Sequence, residues 1–279
     1  MNNILTASTN CYHKYPLDVN LEHIAAAGFE YVEILTLPPW AEDLSLSATD
    51  REIATFVDRV AGHGLKISSL GGQADLGSDA GVRNAHAALH LAVALGLSTI
   101  GMGVGPLGPR DFDPTVAEPF YAALPALLKE ARRNGVKMAF ENRGPLIQTG
   151  AQARDAVERI GKHEVGIVYD TANALHFGGV RPEEEIDLVL PYLAGLHLKD
   201  KSGPPDQWNF PELGTGYLDL RRILSRCLGG GFTGPITIEL EFQGEPWPPL
   251  EDIDGALRRS RAFAMGILSA PTVAGQHAN

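Results

Sequence analysis

Residues 236–242 read ITIELEF, an apolar and β-branched run that is typical of a buried strand but carries two glutamates. Successive side chains of a strand alternate between its two faces, so Glu239 and Glu241 are expected to point the same way. An ionised carboxylate in a dry interior is very costly unless it is paired with a cation or coordinates a metal. The stretch therefore predicts a buried strand that ends in a site where carboxylates meet positive charge.

Strands of this kind alternate with helical patterns along the chain. The predicted strands span residues 4–9, 31–35, 65–70, 98–104, 136–141, 165–170, 193–198 and 235–240. The predicted helices lie at about residues 17–27, 49–62, 79–95, 114–134, 151–160, 182 onward, 218–227 and 250–268. Alternation implies parallel strands covered by helices. Eight such units predict a single-domain (β/α)₈ TIM barrel over residues 1–270, with a flexible tail at 271–279.

A doubly wound open sheet is the main rival fold. It would be expected to carry a glycine-rich phosphate-binding turn after its first strand. The residues after the first predicted strand read NCYHKYP, which is no such turn. The barrel is therefore the favoured architecture.

Composition limits the expected partners and compartment. The 279-residue chain has a formal net charge of −11, which argues against a nucleic-acid or membrane-surface partner. Its two cysteines lack a CxxC motif and indicate a reducing compartment. With neither a signal-peptide pattern nor a run of about 18 apolar residues, we expect a cytoplasmic protein that acts on a small molecule. Homo-oligomerisation is left open.

Polar residues follow four late predicted strands at their carboxyl ends: Glu141, Asp170, His197 and Glu239. Alternate residues of a barrel strand face the interior. If the bulky apolar residues of each strand face the helices, these four side chains all point inward at one rim. That rim is where TIM-barrel enzymes have their active sites.

Three carboxylates and one imidazole form a hard, oxygen-rich ligand set. Such a set suits Mn²⁺, Mg²⁺ or Co²⁺, with Zn²⁺ as a further option. A bound ion would also offset the repulsion between the carboxylates. The alternative is a buried salt-bridge network of these groups with Lys199, Arg143 or Lys137.

Several segments resemble the xylose-isomerase-like superfamily of sugar isomerases, epimerases and dehydratases. They are LEHIAAAGFEYVEI (21–34), FENRG (140–144), VYDTANAL (168–175), GLHLKD (195–200), ELGTGYLDLRRIL (212–224) and FTGPITIELE (232–241). The similarity runs through nearly the whole chain. Each motif is loose, but their order and spacing together are fairly specific.

The resemblance implies a metal site and a reaction. Glu141, Asp170, His197 and Glu239 would bind one divalent metal, with Glu141 and Glu239 as the acid/base pair on opposite faces of a sugar. The expected activity is isomerisation or epimerisation of a small keto sugar or related polyol through a metal-stabilised enediolate. If the adjacent hydroxyl leaves instead, the same site is a dehydratase or lyase of a cyclic, inosose-type keto-polyol. Glu241 is additional to the family pattern.

The sequence departs from the ketose 3-epimerases of this superfamily in two places. Asn173 stands where those enzymes carry a substrate-contacting histidine, and the run LKDKSG after His197 lacks their arginine. The HLKD form is more similar to members described as sugar-phosphate isomerases/epimerases or inosose-type dehydratases. Lys199 would then hold a substrate oxygen or stabilise an enolate, or else neutralise the acidic rim.

Other residues near the expected rim are candidates for substrate binding. They are Lys199, Asn142, Arg143, Asn173, Glu33, His13, Glu241 and Trp247. Asn142 and Arg143 could instead brace their loop. Trp247, like Trp40 and Trp208, lies in a proline-rich loop and could stack on a sugar ring or pack a lid.

Two functions from other classes are weighed against this hypothesis. A metal-dependent DNA-repair endonuclease on the same fold would need more histidine ligands and a basic binding face. A binding protein without turnover would not need the full ligand set. Both are disfavoured by the residues present.

Overall fold

The computed structural model describes residues 3–105, 112–242 and 247–269, so the predicted tail at 271–279 lies outside the described residues. Eight parallel strands close into a barrel, because β1 pairs with both β2 and the last strand. The strands are β1 (Leu5–Ser8), β2 (Tyr31–Leu37), β3 (Ala41–Glu42), β4 (Lys66–Ala74), β5 (Thr99–Val104), β6 (Lys137–Glu141), β7 (Val165–Asp170), β8 (Leu193–Leu198) and β9 (Ile236–Ile238). The short β3 is antiparallel to β2 and stands outside the barrel. The predicted (β/α)₈ barrel is confirmed.

Helices cover the outside of the barrel. They are α1 (Leu17–Ala26), α2 (Asp50–Gly62), α3 (Asp79–Ala94), α4 (Ala117–Arg133), α5 (Gly150–Ile160), α6 (Thr171–His176), α7 (Pro182–Val189), α8 (Leu220–Gly229) and α9 (Leu250–Leu268). A capping box closes the start of α2, where Thr49 and Glu52 exchange side-chain and backbone hydrogen bonds. Within the described ranges, none of these helices has the length and apolar character that a membrane span requires.

Three elements differ from the sequence prediction. Asp113 caps a single 3₁₀ turn, Pro114–Val116, and α4 begins only after it. The short helix α6 was not predicted; it starts directly after β7 because the Asp170 side chain accepts from the first backbone N–H groups. The last barrel strand ends at Ile238, earlier than predicted. The chain beyond it is held instead by a pair of backbone bonds between Glu241 and Phe210.

The apolar core lies between the strands and the helices, while the barrel interior is narrow. Met138, Phe140 and Ile167 are fully or almost fully buried. Inside, Val168 leaves little room: a Cβ added at Gly101 would lie 3.3 Å from its Cγ2, and one at Gly195 3.4 Å. The side chain of Val168 thus fills the space beside these two glycines. Acidic and basic side chains gather at the carboxyl ends of the strands.

Candidate metal centre

The four strand-end residues predicted from the sequence meet at one rim of the barrel. One ligand atom from each of Glu141, Asp170, His197 and Glu239 lies within 4.8 Å of the others. Glu141 and Asp170 are the last residues of β6 and β7, His197 is in β8, and Glu239 follows β9. The four side chains therefore come from the ends of four consecutive parallel strands, at positions that face the barrel interior.

His197 is oriented by Glu33, a residue of β2. Its Nε2 lies 3.2 Å from Glu33 Oε2, which also accepts from Ser69 Oγ at 2.7 Å. The opposite ring nitrogen, Nδ1, faces the cluster, 3.4 Å from Glu141 Oε1 and 3.7 Å from Glu239 Oε2. A carboxylate behind a ligating histidine fixes the ring and its tautomer. The arrangement leaves Nδ1 as the atom that could bind a metal.

Asp170 is held so that one of its oxygens remains for another partner. Oδ1 accepts the backbone N–H groups of Ala172 and Asn173, both at 2.8 Å. The Asn142 side chain accepts from the Asp170 N–H at 2.7 Å and donates to its carbonyl at 2.9 Å. Oδ2 is buried and, among the described residues, makes no hydrogen bond, although Lys199 Nζ is in ion-pair contact at 3.1 Å.

These atoms fit a divalent cation. Two ligand atoms, His197 Nδ1 and Asp170 Oδ2, are buried without a hydrogen bond to any part of the chain that the structure describes. Buried polar atoms of that kind need an explanation, and an ion bound between them is one. The donors are carboxylate oxygens and one imidazole nitrogen, which suit hard or borderline divalent metals.

Lys199 lies inside the same cluster. Its Nζ is 2.7 Å from Glu239 Oε2 and 3.2 Å from Glu241 Oε1, and its side chain is 3% exposed. It also sits 5.0 Å from the centroid of the Phe210 ring. The salt bridges considered as an alternative to a metal site are thus present together with the metal-ligand geometry.

The cluster shifts the pKa values of its members in opposite directions. Burial alone would raise the pKa of Glu141, but His197 and Arg143 lower it to about 2. Burial alone would also raise the pKa of Glu239, but the charge of Lys199 lowers it. For Glu241, burial outweighs Lys199 and raises the pKa to about 7. Glu141 and Glu239 are therefore held as carboxylates.

Asn10 was not predicted, and it joins the two glutamates of the ITIELEF stretch. Its Nδ2 donates to Glu239 Oε1 at 2.8 Å and to Glu241 Oε1 at 2.6 Å, while its Oδ1 accepts from Trp40 Nε1 at 3.1 Å. Glu239 and Glu241 do point to one spot, although the regular strand ends before them. The signal that could have found Asn10 is its position just past β1 at the same rim.

Three further candidates, Asn142, Arg143 and Asn173, lie beside Glu141 and Asp170. Asn173 Nδ2 donates to Glu141 Oε1 at 3.2 Å, and Arg143 Nε lies 3.4 Å from Glu141 Oε2. The amide of Asn142 is engaged with the Asp170 backbone, which favours the bracing role that the sequence left open. Direct substrate contacts of these residues, and of Glu33 and Glu241, stay predictions.

Aromatic rings from the loops that follow β1, β2, β8 and β9 contact one another. His13 stacks on Trp40 with 4.0 Å between ring centroids, and Trp247 meets His13 edge-on at 6.1 Å. Trp208 lies 6.3 Å from Trp40, and these two rings are 38% and 41% exposed. Stacking of a ligand on His13 or Trp247 stays a prediction.

Comparison with known proteins agrees with this architecture. The family model described as xylose isomerase-like TIM barrel matches residues 21–263. A 2-epi-5-epi-valiolone 7-phosphate 2-epimerase from an Actinoplanes species is 35% identical over 109 residues, covering 39% of this chain. That match spans only 38% of the length of the curated relative.

Two solved structures illustrate the similarity in fold. A xylose isomerase-like TIM barrel protein from Mycobacterium smegmatis, in complex with magnesium, superposes with a TM-score of 0.75 at 20% identity and covers 98% of both chains. An L-ribulose 3-epimerase superposes with a TM-score of 0.74 at 22% identity and covers both chains completely. At such identities the likeness concerns the fold.

Proposed function

The chain belongs to the xylose isomerase-like TIM barrel family, and from this premise we propose that it is a divalent-metal-dependent isomerase or epimerase of a small keto sugar or related polyol. The observation that carries the proposal is the convergence of Glu141, Asp170, His197 and Glu239 within 4.8 Å. A binding protein without turnover would not need two ionised glutamates at 3.4 and 3.7 Å from the same histidine nitrogen.

These four residues would hold the ion. When bound there, it would polarise the carbonyl and adjacent hydroxyl oxygens of the substrate and so make the neighbouring C–H proton more acidic. The best-fitting ions are Mn²⁺, Mg²⁺ and Co²⁺, with Zn²⁺ a weaker fit to the three carboxylates. The magnesium complex of the M. smegmatis protein supports a hard ion.

Glu141 and Glu239 move the proton in this proposal. They approach His197 from strands that are separated by β7 and β8. Because its pKa is lowered to about 2, Glu141 is ionised at neutral pH and can accept the proton at a carboxylate oxygen. Glu239, which is also ionised, first takes a proton from the Lys199 ammonium group 2.7 Å from its Oε2. It then gives that proton to the neighbouring carbon in an isomerisation, or to the opposite face of the same carbon in an epimerisation.

The surrounding residues would bind and orient the substrate. Asn173 and Arg143 adjoin Glu141, and the exposed rings of Trp40 and Trp208 offer stacking surfaces for a sugar. The epimerase name of the Actinoplanes relative supports this substrate class. We propose no nucleic-acid or membrane partner, in keeping with the net charge of −11, and a cytoplasmic location stays a prediction.

A lyase acting on a cyclic keto-polyol is the second candidate, and Lys199 is the observation that favours it. A buried ammonium 2.7 Å from Glu239 Oε2 could give a proton to a departing hydroxyl group. ¹H NMR of the reaction in D₂O separates the two. Isomerisation or epimerisation introduces deuterium at carbon without loss of water, whereas elimination yields a dehydrated keto product.

The test of the proposed function combines metal binding with catalysis. Protein stripped with a chelator should bind one equivalent of Mn²⁺ by calorimetry, gain thermal stability, and exchange a C–H proton of a keto sugar or keto-polyol with D₂O. Glu239→Gln should lose the exchange. The matched control is Glu118→Gln, which neutralises an exposed glutamate in α4 and should behave as wild type. Wild-type protein that binds no Mn²⁺ and exchanges no proton would contradict the proposal.

A further inference from the structure

Lys199 contacts one carboxylate oxygen of each of two proposed metal ligands, Asp170 and Glu239. Asp170 Oδ2, at 3.1 Å from Nζ, has no hydrogen bond within the described chain. Glu239 Oε2, at 2.7 Å from Nζ, also lies 3.7 Å from His197 Nδ1. The ammonium group and a divalent ion would therefore use the same lone pairs of Asp170 and Glu239.

Glu241 gives the ammonium group a third partner outside the ligand set. Its Oε1 lies 3.2 Å from Lys199 Nζ and is fixed by Asn10, which donates to it at 2.6 Å. The centroid of the Phe210 ring lies 5.0 Å from the ammonium nitrogen. Lys199 could thus leave Asp170 and Glu239 and still be paired, which a buried charge requires.

We infer that Lys199 is a tethered competitor of the divalent ion, which weakens the binding of the ion and is retained by Glu241 when the ion is bound. The inference rests on the proposed function, because it presupposes that Asp170 and Glu239 are ligands. Like charges repel strongly over a few ångströms in a buried site. The ammonium group thus keeps the bound ion exchangeable. In protein from which the ion has been removed, it offsets the repulsion among the carboxylates.

The decisive experiment is calorimetric titration of chelator-treated protein with Mn²⁺. Lys199→Met, which keeps most of the side-chain volume, should bind Mn²⁺ with a Kd roughly tenfold lower than wild type, equivalent to about 1.4 kcal/mol. The Tm of Lys199→Met should lie below that of wild type in EDTA and recover in Mn²⁺. Without the ion, the variant has neither the ammonium group nor a metal to offset the repulsion among the carboxylates.

Lys201→Met is the matched control. Lys201 is a buried lysine two residues further on, and its Nζ donates to the carbonyl groups of Ser202 and Pro204. Its removal should lower the Tm by the same amount with and without Mn²⁺ and leave the Kd unchanged. A general effect of losing a buried lysine is thereby separated from competition at the metal site.

The outcomes distinguish this inference from the proposed function. If wild type binds Mn²⁺ and Lys199→Met binds it equally or more weakly, Lys199 is not a competitor while the proposed function stands. If wild type binds no Mn²⁺, both fail.

A second measurement does not depend on the folding of the variant. Crystal structures of the wild-type protein grown with Mn²⁺ and with EDTA should differ at Nζ. With Mn²⁺ bound, Nζ should be separated from Asp170 Oδ2 and remain beside Glu241. An ammonium group that keeps its contacts with both ligand oxygens in the Mn²⁺ structure would overturn the inference.

Discussion

Asp170 and Asp200 are both fully buried aspartates at the same rim of the barrel, yet their carboxylates have different partners. The two oxygens of Asp200 accept the backbone N–H groups of Lys201, Gly214, Gly216 and Leu218 at 2.8–3.3 Å. Asp170 has two such bonds, both at Oδ1. A carboxylate with both oxygens hydrogen-bonded to backbone N–H groups holds the loop around it. A carboxylate with one oxygen free of hydrogen bonds can bind a cation with that oxygen.

The loop around Asp200 gives the ELGTGY segment a structural role. A Cβ on Gly216 would lie 2.2 Å from Asp200 Oδ1 and 2.3 Å from the Lys201 carbonyl, so only glycine lets the backbone approach. Gly214 has a φ of +85°. Part of the family resemblance thus reflects how this loop folds, and another part reflects the metal ligands.

Asp170→Asn is expected to have the largest effect on function. The amide oxygen can still cap α6, but the charge at Oδ2 is lost and a donor group takes its place. Loss of a partner that only orients a ligand weakens metal binding by about 10- to 100-fold, so loss of a ligand should weaken it by at least about 100-fold. Calorimetry with Mn²⁺ measures this, and an unchanged Kd would show that Asp170 is not a ligand.

Asp200→Asn should mainly affect stability. Any orientation of the new amide turns its NH₂ group towards two of the four N–H donors, which leaves buried groups unpaired. We expect the free energy of unfolding to fall by about 2 kcal/mol, measured by urea denaturation. The Kd for Mn²⁺ of the folded variant should stay near the wild-type value. A variant as stable as wild type would mean that these bonds do not hold the loop.

The metal ligands could be predicted because their positions follow from the strand pattern. Val165–Asp170 and Leu193–Leu198 form strands at their predicted bounds, and a period of two fixes which side chains face inward. Asn10 and α6 were missed because they lie just past strands, where that period no longer applies. The role of Lys199 could not be decided, since alternation places a residue on a face but does not say which oxygens its side chain reaches.

Glu33→Gln should have a smaller effect than Asp170→Asn or Asp200→Asn, because Glu33 acts through His197. The amide oxygen can still accept from Ser69 and orient the ring, but the charge that increases the basicity of the imidazole is lost. We expect the Kd for Mn²⁺ to rise about tenfold with little change in Tm. Glu30→Gln, at an exposed position just before β2, is the matched control and should leave the Kd unchanged.

The same variant gives a readout that a purely structural role would not change. Burial alone lowers the pKa of His197, and Glu33 and Glu141 together raise it well above its usual range. In chelator-treated protein, Glu33→Gln should therefore lower the pKa of His197, followed by NMR of the imidazole during a pH titration. If the Kd rises while this pKa stays the same, Glu33 affects the site through its shape alone. If both change together, the charge behind His197 tunes the metal ligand, and Glu33 belongs with Asp170 rather than with Asp200.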